Sequence, residues 1–245
     1  MTPTATFDEE RALLAEACRV AAGRGLVDGI LGHLSWRIDD DRLLIRCRND
    51  DDCGVAFTRP TDIRLIRFDG TEAGPGELNC YRVPNELPIH TETMLSDPQH
   101  RAVAHLHPPA VVAADLAGVT IRPIYGAYDI PGAWLARRGV PVYERAVLIR
   151  STELGKEMVA AMRGQPIVIC RGHGITSAAT TVQQTVLQAI ALDELARMSL
   201  RVLSAGGVLR DVDERDWDHL PDLGPAFTVD SAWRHEVARI TAQSE

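Results

Sequence analysis

Ala102-Val103-Ala104-His105-Leu106-His107 and, further along, Arg171-Gly172-His173-Gly174 are the two stretches on which the reading of this chain turns. The first alternates like a strand, and Pro108-Pro109 closes it. A two-residue period places the His105 and His107 rings on one face of a sheet. Two imidazoles on one face form half of a metal site, and zinc accepts such nitrogen ligands. The plainer alternative is a pair of partly buried histidines at a strand end. In the second stretch, His173 follows the strand pattern Ile167-Val168-Ile169-Cys170 and stands between two glycines. Glycine permits tight backbone geometry around a ligand, so this turn could present a third imidazole. An ordinary turn would explain the same residues.

Pro84-Asn85-Glu86-Leu87-Pro88-Ile89-His90 is the third informative stretch. Pro88 suits a first helical turn, which leaves Glu86 at a helix entrance. A carboxylate there can cap the helix or face a cation as a general acid/base. His90 reads as a packing or capping residue on that helix.

Around these stretches the pattern is that of an α/β protein. A hydroxyl and a carboxylate three residues apart, Thr6 and Glu9, read as a capping box for a first helix over 7–22. Strands are expected at 31–37 and 42–48, about the Asp39-Asp40-Asp41 turn, and around Ile63, Leu65 and Phe68. Helices are expected at about 88–96, from Pro108-Pro109 to about 116, at 151–163 and at 180–204. Beyond 208 the chain is polar, with Trp217 and Trp233 but no strong pattern. The whole, residues 1–245, reads as one domain with a core at about 8–205, a tail at 206–245 and a mixed sheet covered by helices.

With 45% hydrophobic residues among 245, a sizeable core is available without staples. The formal net charge of −8 argues against a nucleic-acid partner, because phosphate binding needs a basic face. The five cysteines, Cys18, Cys47, Cys53, Cys80 and Cys170, form no CxxC pair and fit a reduced cytoplasmic compartment. Met1 to Phe7 shows no leader pattern, and no run of eighteen apolar residues suggests a membrane span.

Taken together, Glu86, the His-x-His nineteen residues later and the Gly-His-Gly turn resemble the class II aldolase/adducin family of metal-dependent aldolases, epimerases, dehydratases and decarboxylases. Gly32-His33-Leu34-Ser35 is similar to its early Gly-Asn-Val/Leu-Ser loop, and Phe57-Thr58-Arg59-Pro60 falls where its Thr-Pro-Ser-Gly loop stands. The resemblance covers roughly 8–205. It implies a three-layer α/β/α fold with a central mixed, largely antiparallel sheet. It implies one divalent cation per chain on His105, His107 and His173, with Glu86 as catalytic acid/base. Tyr125, with Tyr128 close by, falls near a tyrosine that in sugar-phosphate aldolases serves a neighbouring subunit's site. A homotetramer with interfacial sites is implied too. Three nitrogens favour zinc, with manganese, iron and cobalt as alternatives.

The chain departs from the sugar-phosphate aldolases where they cradle phosphate. His33 replaces an asparagine, Arg59-Pro60-Thr61 follows Thr58, and Pro84-Asn85 replaces a serine pair. A proline removes a donor and an arginine fills space, so a phosphate is disfavoured. Arginine forks suit carboxylates, which makes Arg59 and Arg171 candidates for holding one. His33, Ser35, Thr58 and Asn85 complete the expected substrate-binding set. These departures resemble a decarboxylase branch whose members act on dihydroxyphthalate or carboxylated ring-cleavage semialdehydes in aromatic catabolism. The expected activity is therefore a carbon–carbon lyase that decarboxylates a dihydroxylated aromatic acid. Retro-aldol cleavage of a hydroxy-keto acid, or decarboxylation of a carboxy-muconate semialdehyde, is the alternative chemistry. A non-catalytic adducin-like assembly domain is the alternative class.

Overall fold

The computed structural model describes residues 6–242, so most of the Met1–Phe7 stretch lies outside it. Seven strands form one sheet in the order β3-β2-β1-β4-β7-β6-β5. They are β1 (His33–Arg37), β2 (Arg42–Arg46), β3 (Ile63–Arg67), β4 (Ala102–Leu106), β5 (Val142–Tyr143), β6 (Ile167–Cys170) and β7 (Gly174–Ala179). Every pairing is antiparallel except β5 with β6. This is the mixed, largely antiparallel sheet expected from the sequence.

Alternation along the strands supplies two cores. Leu34, Leu44, Ala104, Leu106, Ile169 and Ile175 turn to one face. There they meet Leu14 and Cys18 of α1 (Asp8–Gly23), Val111 of α3 (Pro109–Leu116) and Leu192 of α6 (Val182–Ser204). Leu43, Ile45, Val103 and Val168 turn to the other face. They pack on Ile89 and Met94 of α2 (Leu87–Ser96) and on Met158 and Met162 of α5 (Thr152–Met162). Helices therefore cover both faces. Central strands buried on both sides read as apolar runs, as β6 does.

Several elements depart from the sequence reading. The capping box does not form. Phe7 is the N-cap in a left-handed conformation with no side-chain cap, and Asp8, Glu9 and Glu10 offer charge to the helix N-terminus instead. Strand β7, helix α4 (Ile130–Ala136) and the short β5 carry too little periodicity to be seen beforehand. The tail is more ordered than its composition suggests. It forms α7 (Ala232–Ala242), whose Trp233 joins the first core and whose Glu236 pairs with Arg24.

The strand ends matter most for function. The start of β1, the end of β4, the start of β7 and the end of β6 meet at one end of the sheet, in the registers His33↔His105, Leu106↔Ile175 and Cys170↔Gly174. Helix α2 begins beside them and is held by α5. At Gly155 of α5 a Cβ would lie 2.9 Å from the Pro88 carbonyl and 2.7 Å from Glu92 Cγ. Helix propensity alone favours alanine there by about 1 kcal/mol, whereas overpacking against backbone costs about 1–3 kcal/mol. Gly155→Ala is therefore expected to lower the urea unfolding free energy, by about 1 kcal/mol net. A variant that unfolds at higher urea than wild type would show that the α2–α5 contact gives way freely.

Candidate functional site

His105 is fully buried on the central strand. The pairing registers place His33 of β1 and Thr176 of β7 directly on either side of it. The His33 ring stacks on the His105 ring at 5.2 Å between centroids. The Thr176 hydroxyl lies 3.3 Å from His105 Nδ1 and donates its own proton to Met158 Sδ. That leaves Thr176 Oγ1 to accept from Nδ1–H, which directs the Nε2 lone pair outward.

His105 Nε2 stands 3.1 Å from His107 Nε2 and 3.4 Å from His173 Nε2. One nitrogen from each of the three histidines lies within 4.8 Å of the others. Zinc–nitrogen bonds of about 2.0–2.1 Å at tetrahedral angles put ligand nitrogens about 3.3 Å apart, so the observed spacing suits such a cation. The residues arrive by different routes. His107 follows β4 and is fixed by its N–H on the Leu26 carbonyl. His173 sits in the β6–β7 turn, which approaches β4 so closely that a Cβ at Gly174 would lie 2.6 Å from His107 Cδ2 and clash with the Leu106 carbonyl. The turn is anchored by Gly172 N–H donating to Asp115 and by Arg171 pairing with Asp115 and Glu144.

Glu86 stands at the N-cap of α2 without capping it. Its Oε1 accepts the Ile149 N–H at 2.8 Å. Its Oε2 lies 3.6 Å from His105 Nε2 and 3.7 Å from His173 Nε2. The carboxylate thus faces the histidine cluster, and the capping role is not taken.

Burial favours the neutral form of four of the imidazoles, those of His33, His90, His105 and His107. It drives His90 down to about 3 and His107 to about 4, while His33 and His105 fall well below the usual histidine range, with neighbouring imidazoles adding to the effect in His33, His105 and His107. Neutral imidazole is the form that ligates metal. His90 holds the far side of the arrangement, with Nε2 on His33 Nδ1 at 2.7 Å and Nδ1 on Ser35 Oγ at 2.6 Å. It packs and positions, as its sequence setting suggested.

A cavity of about 190 Å³ opens over the cluster, lined by His33, Asn85, Glu86, His107, His173, Arg46, Arg48 and the apolar Ile30, Leu31 and Leu148. A larger cleft of about 740 Å³ lies elsewhere and contains no histidine; its Arg137 is held by Trp134, Trp217 and Glu214.

The expected substrate-binding residues divide accordingly. His33 and Asn85 line the cavity. Ser35 and Thr58 are buried behind it, Ser35 on His90 and Thr58 accepting from Arg46 Nε at 2.9 Å. Arg59 and Arg171 are not on the wall. Arg59 is folded onto Asp62, and Arg171 is committed to Asp115 and Glu144. Arg46 and Arg48 stand there instead. The missed signal is an arginine at an inward position of a strand, Leu44 then Arg46 then Arg48. Tyr125 and Tyr128 line a separate surface pocket with Met198 and Val208. Cys170 is buried in the second core and is outside the cluster of ligand atoms, so it supplies no fourth ligand. Among the described residues none beyond 207 lines the cavity.

Residues 12–200 match the family model described as Class II Aldolase and Adducin N-terminal domain. The chain is 69% identical over 230 residues to a 3,4-dihydroxyphthalate decarboxylase of Rhodococcus jostii (strain RHA1), covering 94% of this chain and 95% of that one. It is 56% identical over 234 residues to a protein of the same name from Terrabacter sp. (strain DBF63), covering 96% and 98%. An aldolase II superfamily protein of Pseudomonas syringae superposes with a TM-score of 0.79 at 20% identity, over 99% of this chain and 96% of its own.

Two outcomes follow from the geometry. Unfolded histidines titrate near 6.5, while those buried here stay neutral to lower pH. The unfolded chain therefore binds more protons as pH falls below about 6.5, and metal-free protein loses stability there, at up to about 1.4 kcal/mol per pH unit for each such histidine. For His107 the loss is complete near pH 4. Urea midpoints at pH 7.5, 6 and 5 should fall in that order, and a flat or rising series would contradict neutral burial. Thr176→Val removes the acceptor for His105 Nδ1–H and should weaken zinc affinity roughly 10- to 100-fold, read by competition with a chromophoric chelator. Unchanged affinity would mean that Thr176 does not orient the ring.

Proposed function

The chain belongs to the class II aldolase and adducin family, and we propose that it is a divalent-metal-dependent carboxy-lyase acting on a dihydroxylated aromatic dicarboxylate, 3,4-dihydroxyphthalate. The observation that carries this reading is the placement of Glu86 Oε2 at 3.6–3.7 Å from two of three convergent histidine nitrogens. The names of the relatives supply the substrate.

His105, His107 and His173 would hold the metal, which we take to be zinc from the three-nitrogen donor set. A divalent cation held there would supply Lewis-acid stabilisation to a substrate oxygen. The remaining work falls to the chain's own groups. Glu86 carries a proton on Oε2, since Oε1 is fixed by the Ile149 N–H. It delivers that proton to the ring carbon bearing the carboxylate next to a hydroxyl. The bond from that carbon to the carboxylate then breaks, its electron pair returns to the ring, and carbon dioxide leaves. One proton is consumed, and 3,4-dihydroxybenzoate remains. His33, held on its Nδ1 by His90, keeps Nε2 for the substrate. The cavity of about 190 Å³ suits one substituted ring and is below the range of about 300–1,000 Å³ typical of drug-sized sites. An assembly-only role would leave the histidines and the glutamate without a use.

We also propose a homotetramer in which Tyr125 serves a neighbouring subunit's site. In support, its hydroxyl is buried with no hydrogen-bond partner among the described residues, and Phe57, Leu116 and Tyr128 are exposed large hydrophobic residues. The whole chain is taken as one domain, consistent with Trp233 packing into the main core. A cytoplasmic setting fits five free cysteines, and among the described residues no helix is long and apolar enough to cross a membrane.

Metal-reconstituted protein incubated with 3,4-dihydroxyphthalate should release carbon dioxide. Glu86→Gln should cut the rate by about 10²–10⁴-fold while retaining about one metal per chain. Absence of release from metal-loaded wild type would refute the substrate, and full activity in Glu86→Gln would refute the proton donor.

A further inference from the structure

We infer that Arg48 is the group that grips the retained carboxylate of the substrate and so makes the cavity selective for a dicarboxylate over a simple diol. This rests on the decarboxylase reading above and names a subsite within it.

The argument starts with strand alternation. Leu43, Ile45 and Cys47 turn into the second core, so Arg46 and Arg48 emerge on the opposite side, at the end of the sheet where the cavity opens. The two guanidinium groups are not equivalent. Arg46 is almost wholly buried, donates from Nε to Thr58 Oγ1 and pairs with Asp52 at 2.5 Å. Its charge is balanced and its plane is fixed. Arg48 is half-buried on the cavity wall, and it forms no ion pair with any acid among the described residues. Of the acids close to it in sequence, Asp52 is taken by Arg46 and Asp50 by Arg82, and Glu86 on the same wall is held by the Ile149 N–H and turned toward His105 and His173. In a chain of formal net charge −8, an arginine that lines the cavity beside the histidine cluster without an ion-pair partner is a site for an anionic group.

The rest of the wall restricts what can answer that charge. Ile30, Leu31 and Leu148 are each about half exposed and form the apolar part of the lining. A cation, an apolar slot and a cluster of nitrogen ligands together fit an aromatic acid. Its diol edge would lie toward the histidines and its second carboxylate toward Arg48. An arginine fork matches a carboxylate in two parallel hydrogen bonds. Loss of the carboxylate next to the hydroxyl leaves the other in place, so the same contact holds both substrate and product.

Binding of two inert ligands separates this subsite from turnover. Zinc-loaded protein is titrated calorimetrically with 3,4-dihydroxybenzoate and with catechol, which share the diol and differ by the carboxylate. Wild type should prefer the acid by roughly 10- to 100-fold, the range of a charge-assisted hydrogen-bonded pair. Arg48→Met should bring the two within about threefold by weakening the acid alone, and Arg48→Lys should restore part of the preference. Because the Arg48 side chain has no ion-pair partner among the described residues, and its bridge to Arg82 runs through the backbone, both variants should keep the wild-type melting temperature and zinc content. Preference retained in Arg48→Met overturns the inference, and if wild type also releases carbon dioxide from 3,4-dihydroxyphthalate, the decarboxylase reading survives it. Preference lost in Arg48→Met supports the subsite even where no carbon dioxide is released. Wild type that binds neither ligand overturns both.

Discussion

A fully buried imidazole on the central strand sets the terms for the rest of the site. His105 cannot reach water, so each polar atom of its ring must find a partner, and protonation is disfavoured. The sheet meets this demand through register. Thr176 stands opposite on one neighbour and answers Nδ1, while His33 stands opposite on the other and stacks on the ring. A slip of one residue in either pairing would turn those partners to the far face. Strand pairing, ring tautomer and the direction of Nε2 are thus one constraint seen at three levels.

The second requirement is close approach. His107 and His173 reach His105 only because the β6–β7 turn lies against the end of β4, where Gly174 leaves no side chain between them. Asp115 holds that turn from the helical side through Gly172 N–H and Arg171. Arg171 therefore contributes to the site by fixing the chain that carries His173. On the opposite side, α2 brings Glu86 in from its first turn, and the Ile149 N–H occupies one carboxylate oxygen so that the other faces the histidines. Three separate segments thus converge on a point that none of them defines alone.

Charge is distributed unevenly between surface and cavity. Many acids lie on the exterior, some of them in ion pairs with arginine such as those of Arg82 with Asp50 and Arg42 with Asp39. Exposed pairs of this kind add little stability. Within the cavity the count differs. Among the described residues Glu86 is the one acid on the wall, with two arginines of which only Arg46 has its own counter-ion. An acidic protein can in this way present a locally positive pocket to an anionic substrate, because the local field depends on which charges are paired.

The sequence alone marked the residues of the candidate site whose signal is carried by spacing, and the fold brings them together. His105 and His107 two apart on a strand, His173 between glycines and Glu86 before Pro88 were legible because ligand type and local period are local properties. The mixed sheet and most helices were legible for the same reason, since apolar period and proline position fix element type. Tertiary structure decided what depends on partners distant in the chain. It withheld the Thr6–Glu9 capping box, and it assigned Arg59 and Arg171 to Asp62, Asp115 and Glu144, because a guanidinium goes to the carboxylate that the fold brings near it. It gave the cavity wall to Arg46 and Arg48, made His90 the support of His33, and gave order to a tail with no periodic signal. Strand β7 was hidden because Gly174-Ile175-Thr176-Ser177-Ala178-Ala179 is small and buried on both faces, so neither alternation nor bulk marks it. Residue identity fixes what a side chain can do, and only the packed chain fixes which neighbour it does it with.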